Sequence, residues 1–331
     1  LLGNYNGTPS VSFTPLDGIK ACVNDDTRVF YAKGCEIVND RTENHAVPKD
    51  RIKEAVSAAS YSDVTLICVG LNAEFEGEEG DTFNSDAGGD KTSLKLTGLQ
   101  NELIEKVSAT GTKVILAVMT GSPMELTDLE PMADAIIQVW YPGAFGGLAL
   151  GRLLFGDRDF SARLPMTVVK RTEDLPPFED YSMDNRTYKF IKTEPLYPFG
   201  FGLSYNEYTI KAVDIFDTIE KDTTEELTIT IKNEGHYDSQ LPIQVYITPL
   251  HDKYRVPNYK LVNIDNIPIP AGDTVTLPLD FDSACVKTVN EDGKYVYDCD
   301  EFMLYVGFSQ PDDRSAKLLG SQPFSQKITL K

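Results

Sequence analysis

The sequence predicts an α/β domain built on a mostly parallel sheet with helices on both faces, followed by an all-β sandwich. Three observations carry that expectation. Continuous apolar runs alternate with helical stripes up to about Phe155, a period of two replaces them from about Tyr208, and 331 residues with 41% hydrophobic content exceed what one domain usually needs. The expected organisation is residues 1–169 as the α/β domain, 170–205 as an ordered connector, and 206–331 as the sandwich.

In chain order, Ile52, Ala55, Val56 and Ala59 fall at helical spacing within 51–59, and Val64 to Val69 then read as a buried strand. Cys68, inside that run, reads as a small buried hydrophobe. Thr97 and Gln100 form a capping-box pattern ahead of a stripe of Leu99, Leu103 and Val107. Val114 to Met119 form a second apolar strand. Ser122-Pro123-Met124-Glu125 offers a helix start with Pro at the first helical position. Ala135 to Trp140 and Ala144 to Phe155 complete the alternation as a third strand and a third helix. Strands apolar on both faces and separated by helices imply a parallel sheet covered on both sides. Further on, Leu227, Ile229 and Ile231 alternate with Thr228, Thr230 and Lys232, and similar alternation recurs around 243–247, 275–281 and 302–308. Short strands separated by turns indicate an antiparallel sandwich of about 120 residues.

Composition narrows the function. Fifty-one acidic against 31 basic residues give a net charge of −20, which repels nucleic acid and anionic membranes and leaves neutral sugars unaffected. No apolar run approaches the roughly 18 residues of a membrane span. No Cys-x-x-Cys spacing occurs among the five cysteines, so zinc and iron–sulfur roles are not expected. Cys285 and Cys299 bracket the Asn290-Glu291-Asp292-Gly293 turn and are candidates to face each other across a hairpin, which suits an oxidising compartment. Asn6-Gly7-Thr8 and Asn185-Arg186-Thr187 match the glycosylation pattern, which has meaning only in eukaryotic secretion. No phosphate-cradling glycine loop follows any strand, and no cofactor is expected.

Ligands of open parallel sheets bind at the carboxyl ends of the strands, so the loop after Val69 matters most. It runs for 27 residues, from Gly70 to Leu96, where two to about six are usual. Seven carboxylates crowd it: Glu74, Glu76, Glu78, Glu79, Asp81, Asp86 and Asp90. Crowded like charges raise the pKa of some members, which suits a general acid; a solvated acidic loop is the bland alternative. Calcium binding by Asp81, Asp86 and Asp90 does not match the 12-residue template.

The stretch Glu76-Gly77-Glu78-Glu79-Gly80-Asp81, followed by Leu94-Lys95-Leu96-Thr97-Gly98-Leu99-Gln100, resembles the acid/base loop of glycoside hydrolase family 3, in its β-xylosidase and β-glucosidase branch. The match continues through Trp140-Tyr141-Pro142-Gly143, Phe155-Gly156-Asp157, Arg163-Leu164-Pro165-Met166-Thr167 and Tyr197-Pro198-Phe199-Gly200-Phe201-Gly202. Thr97 departs from the family's frequent Pro, and Thr82 from its frequent Arg. The resemblance implies the acid/base part of a retaining exo-β-glycosidase acting on terminal β-linked xylose or glucose, with a fibronectin type III-like closing sandwich. It puts the general acid/base on Glu76, with Glu78 as second choice.

The family's nucleophile Asp sits on an N-terminal (β/α)8 barrel, for which these residues have no room. Ser62-Asp63 is similar to part of the nucleophile motif, but Asp63 opens an apolar strand and reads as structural. The implied partners are an oligosaccharide and a barrel supplied by another chain or another segment of the same precursor, without which this chain is expected to be inactive; self-association is left open. Secretion or a periplasmic location is expected over a cytoplasmic one, with no signal legible in the chain. The competing reading is a non-catalytic module that binds carbohydrate or protein.

Overall fold

The computed structural model describes residues 1–3, 6–37, 49–73, 75–76, 91–251 and 253–331. These fold as two compact units, residues 1–157 with 170–173 and residues 158–169 with 174–331.

In the first unit, strands β1 (Val64–Gly70), β2 (Lys113–Met119) and β3 (Ala135–Gln138) form a parallel sheet in the order β1-β2-β3. Leu66 lies beside Ile115 and Ile115 beside Ala135. Helices α1 (Pro15–Cys22), α2 (Asp50–Ser60), α3 (Gln100–Ser108) and α4 (Gly146–Leu154) accompany it. Helix α1 starts at a capping box, Thr14 with Asp17, and has Pro at its first position. It meets α4 through glycine: a Cβ on Gly18 would stand 1.8 Å from the Gly147 carbonyl oxygen, so neither helix tolerates a side chain there.

The core runs along β2, where Leu116, Ala117 and Val118 are fully buried, and onto α3 through Ile104. β1 corrects the expectation of a sheet covered on both sides. Its alternate residues Val64 and Cys68 are exposed while Ile67 and Val69 are buried. Side chains at period two share a face, so this face of β1 is open; Cys68 is exposed on it rather than fully enclosed as expected, although its dense surroundings push the thiol up to about 11.

Two helix starts are also corrected. Thr97 donates its hydroxyl to the Ile37 carbonyl instead of capping α3, and Leu99 is the N-cap residue without a side-chain bond. No helix starts at Ser122; the next helical turn is a short 3₁₀ segment at Glu130–Met132. Glu125 explains this, because its carboxylate accepts from the Thr172 N–H and hydroxyl, both at 3.0 Å, and its own N–H is held by the Leu94 carbonyl.

The second unit holds β4 (Tyr208–Asp214), β5 (Thr218–Ile219), β6 (Thr224–Asn233), β7 (Ser239–Leu250), β8 (Lys260–Ile269), β9 (Thr274–Asp282), β10 (Thr288–Val289), β11 (Tyr295–Val296), β12 (Glu301–Gly307) and β13 (Phe324–Leu330). A five-stranded sheet, β5-β13-β12-β7-β8, faces a three-stranded one, β4-β6-β9, and all pairs but β5–β13 are antiparallel. The period-two residues fill the space between: Ile229, Ile243, Val245, Phe302 and Leu304 are fully buried in one cluster, and the rings of Phe281 and Phe302 stack 5.7 Å apart. Cys285 and Cys299 bracket the β10–β11 hairpin, and burial pushes the Cys285 thiol up to about 12.

Asp159 is a polar hub of this unit. Its carboxylate accepts from Ser204 at 2.6 Å, Ser239 at 2.5 Å, Tyr208 at 3.2 Å and the Tyr205 N–H at 2.8 Å. It thereby fastens the 158–169 segment onto the sandwich.

Candidate active site at the carboxyl ends of the parallel strands

All three parallel strands end at one constellation. β1 closes on Gly70 at φ +144°, where a Cβ would stand 2.0 Å from the Met119 carbonyl oxygen, so the first strand can press against the second only with glycine there. Gln100 fixes the departing backbone, accepting from the Gly70 N–H at 2.7 Å and donating to its carbonyl at 2.9 Å. The chain then turns on the Asn72 carbonyl, which accepts from Phe75 N at 3.0 Å and Glu76 N at 2.9 Å. That turn presents the Glu76 side chain across the ends of β2 and β3.

Four donors meet its carboxylate. Ser122 Oγ donates to Oε1 at 2.6 Å, and Lys91 Nζ lies 3.2 Å from the same oxygen. The Gly121 N–H donates to Oε2 at 3.1 Å, and the Tyr141 hydroxyl donates to Oε2 as well. Gly121 and Ser122 follow β2, and Tyr141 follows β3. A Cβ on Gly121 would stand 3.0 Å from the Tyr141 ring and 3.2 Å from Glu76 Oε2, so any side chain there would press on both. Trp140 carries the turn into Tyr141 at φ +61°, a left-handed conformation that costs an L-residue roughly 1–2 kcal/mol. The side chains of Lys91 and Glu76 are only 14% and 16% exposed, so their attraction is poorly screened.

These contacts reverse the direction expected from carboxylate crowding. Burial pushes the Glu76 pKa up, but the hydrogen bonds from Ser122, Tyr141 and Gly121 and the Lys91 charge outweigh it and hold the group below the ordinary glutamate value. The Tyr141 phenol is pushed up by burial and by the adjacent carboxylate, so it stays protonated as a donor.

Of the residues expected at the site, Glu76 is placed here. Glu78, the second choice, lies outside the described residues, as do Glu74, Glu79, Asp81, Asp86 and Asp90. Asp63 is exposed at the far end of β1, roughly 20 Å of strand from Gly70. Among the described residues no group of three or more His, Cys, Asp or Glu is placed to hold a metal ion, and no helix is long and apolar enough to cross a membrane. Sequence reasoning placed none of Lys91, Gly121, Ser122 and Tyr141 at the site. The last three share one signal, that each lies within three residues of a strand's carboxyl end.

The family model of the glycosyl hydrolase family 3 C-terminal domain matches residues 1–205. The periplasmic β-glucosidase of Salmonella typhimurium is 28% identical over 93% of this chain and 43% of its own length. A β-xylosidase of Formosa agariphila is 30% identical over 95% of this chain and 42% of its own. The solved structure of a β-glucosidase from Erythrobacter marinus superposes with a TM-score of 0.82 at 27% identity, covering 100% of this chain and 45% of that one. The chain thus spans less than half the length of these relatives. With the family model covering well over half of it, the chain belongs to glycosyl hydrolase family 3 and carries that family's C-terminal domain.

Proposed function

We propose that this chain is the acid/base-bearing part of a retaining exo-β-glycosidase that removes terminal β-linked xylose or glucose from oligosaccharides. The single observation that carries the reading is Glu76, a largely buried carboxylate held where the carboxyl ends of all three parallel strands converge. The names of the β-glucosidase and β-xylosidase relatives support the substrate class. A retaining mechanism needs a second carboxyl group about 5–5.5 Å away as nucleophile. The N-terminal (β/α)8 barrel supplies it, as a separate chain or as another segment of the precursor.

In the first step Glu76, protonated, gives its proton to the glycosidic oxygen while the barrel's Asp bonds to the anomeric carbon and the aglycone leaves. In the second, Glu76 as carboxylate takes a proton from water, whose oxygen displaces the Asp, and the acid is regenerated. The anomeric configuration is retained through the two inversions. Residues 206–331 form a fibronectin type III-like module in this reading. Export is proposed, in keeping with the periplasmic relative.

The test is hydrolysis of an aryl β-xyloside and an aryl β-glucoside by the chain with and without its barrel-bearing partner. Activity is expected only with the partner. Glu76→Gln should lower it about 10²–10⁴-fold, with azide restoring turnover of an activated substrate. Full hydrolysis of ordinary substrates by Glu76→Gln would reject the assignment.

A further inference from the structure

We propose that Lys91 and Tyr141 are positioning residues that hold Glu76 in its carboxylate form, and so set the pH above which the chain can no longer present a proton to a glycosidic oxygen. The inference rests on Glu76 being the acid/base and adds which neighbours control its protonation.

A carboxylate offers about four lone-pair sites. Four donors occupy this one: Lys91 Nζ and Ser122 Oγ at Oε1, the Gly121 N–H and the Tyr141 hydroxyl at Oε2. An ammonium and a backbone N–H can only donate, so neither can accept from a protonated glutamic acid. The Ser122 hydroxyl oxygen already accepts from Lys91 Nζ. The Tyr141 hydroxyl can turn to accept a proton held on Oε2, and the Ser122 hydroxyl, with its second lone pair, one held on Oε1, but either must first give up its own bond to the carboxylate. The seat therefore favours the charged form, with Lys91 as its one cation among the described residues and Tyr141 as the donor that must give way when the proton arrives at Oε2.

Two features show that this geometry is built in. Lys91 is 86% buried by its 14% side-chain exposure, an uncommon state for a lysine unless its charge is paired. Tyr141 is aimed by the left-handed Trp140 backbone, and strain of that kind persists where the surroundings over-determine it. Such a seat serves the second step, in which Glu76 must take a proton, and limits the first, in which it must give one.

Lys91 differs from Ser122 and Gly121 in supplying charge rather than a fixed hydrogen bond, so a charge-keeping substitution separates the two effects. The experiment is ¹³C NMR of side-chain-labelled glutamate in the intact chain, with the Glu76 signal assigned by its loss in Glu76→Gln. Its titration midpoint is expected to move to higher pH in Lys91→Met and in Tyr141→Phe and to stay near that of the parent in Lys91→Arg. Folding is checked by Trp140 fluorescence, and Tyr141→Phe carries the test if Lys91→Met does not fold. In the barrel complex the alkaline limb of kcat/KM should move with the midpoint. An unchanged midpoint in the folded Lys91→Met and Tyr141→Phe chains would overturn the inference. A shifted midpoint with a fully active Glu76→Gln complex would instead leave the seat intact and remove the acid/base role.

Discussion

The two units of this chain bury their sheets to different degrees. Between the sandwich sheets, Ile229, Ile243, Val245, Phe302, Leu304 and Ile328 are wholly out of solvent; β6 and β9 alternate buried residues with more exposed ones, while β7 is buried without a break from Leu241 to Ile247. In the parallel sheet only β2 reaches that state, and β1 leaves Val64 54% exposed and Cys68 open. Exposed Phe30 and Tyr31 belong to the same unit. The sandwich closes its core from its own strands, while the parallel sheet presents apolar surface on its first strand. A sheet of the second kind is suited to hold a site at its strand ends while receiving cover from elsewhere.

Four substitutions probe that contrast. Phe302→Ala removes a fully buried ring from the sandwich and is expected to cost about 3–5 kcal/mol, read from the urea transition by circular dichroism. Gly70→Ala forces a Cβ against the Met119 carbonyl at positive φ and should cost about 1–3 kcal/mol. Trp140, the only tryptophan, lies in the parallel unit, so its fluorescence is the readout.

Asp159→Asn should cost the sandwich about 1–3 kcal/mol through its charge-assisted bonds. Burial raises the Asp159 pKa, but the bonds from Ser204, Ser239, Tyr205 and Tyr208 bring it below the ordinary aspartate value. Its contribution is therefore complete above an unfolded pKa of about 3.9 and is lost as pH falls through the lower folded value. The variant's urea midpoint should vary less with pH on the acid side than the parent's. The smallest effect is expected at Cys68→Ser, within about 0.5 kcal/mol because the side chain is exposed. A loss above about 2 kcal/mol there would mean the open face of β1 is covered in solution and would break the comparison.

The periodicities were legible because they come from burial on a face: the period-two stretches became β6, β7, β9 and β12, and the apolar runs became β1, β2 and β3. What failed were local signals overridden by distant partners. Thr97 and Ser122 carry cap chemistry, yet one hydroxyl serves the Ile37 carbonyl and the other serves Glu76. Cys68 failed because a strand's second face is buried only where something packs on it, which an apolar run does not specify. At the site, Glu76 was legible from an acidic loop and a motif. Its donors were not, because Gly121 and Tyr141 become its neighbours only once three strands are aligned in register.

That alignment separates two properties of the candidate site. Gly121, Ser122 and Tyr141 are delivered by β2 and β3, so three of the four groups around Glu76 do not depend on the length of the segment between Glu76 and Lys91. A different number of residues between Glu76 and Lys91 would therefore leave these three contacts to the carboxylate in place.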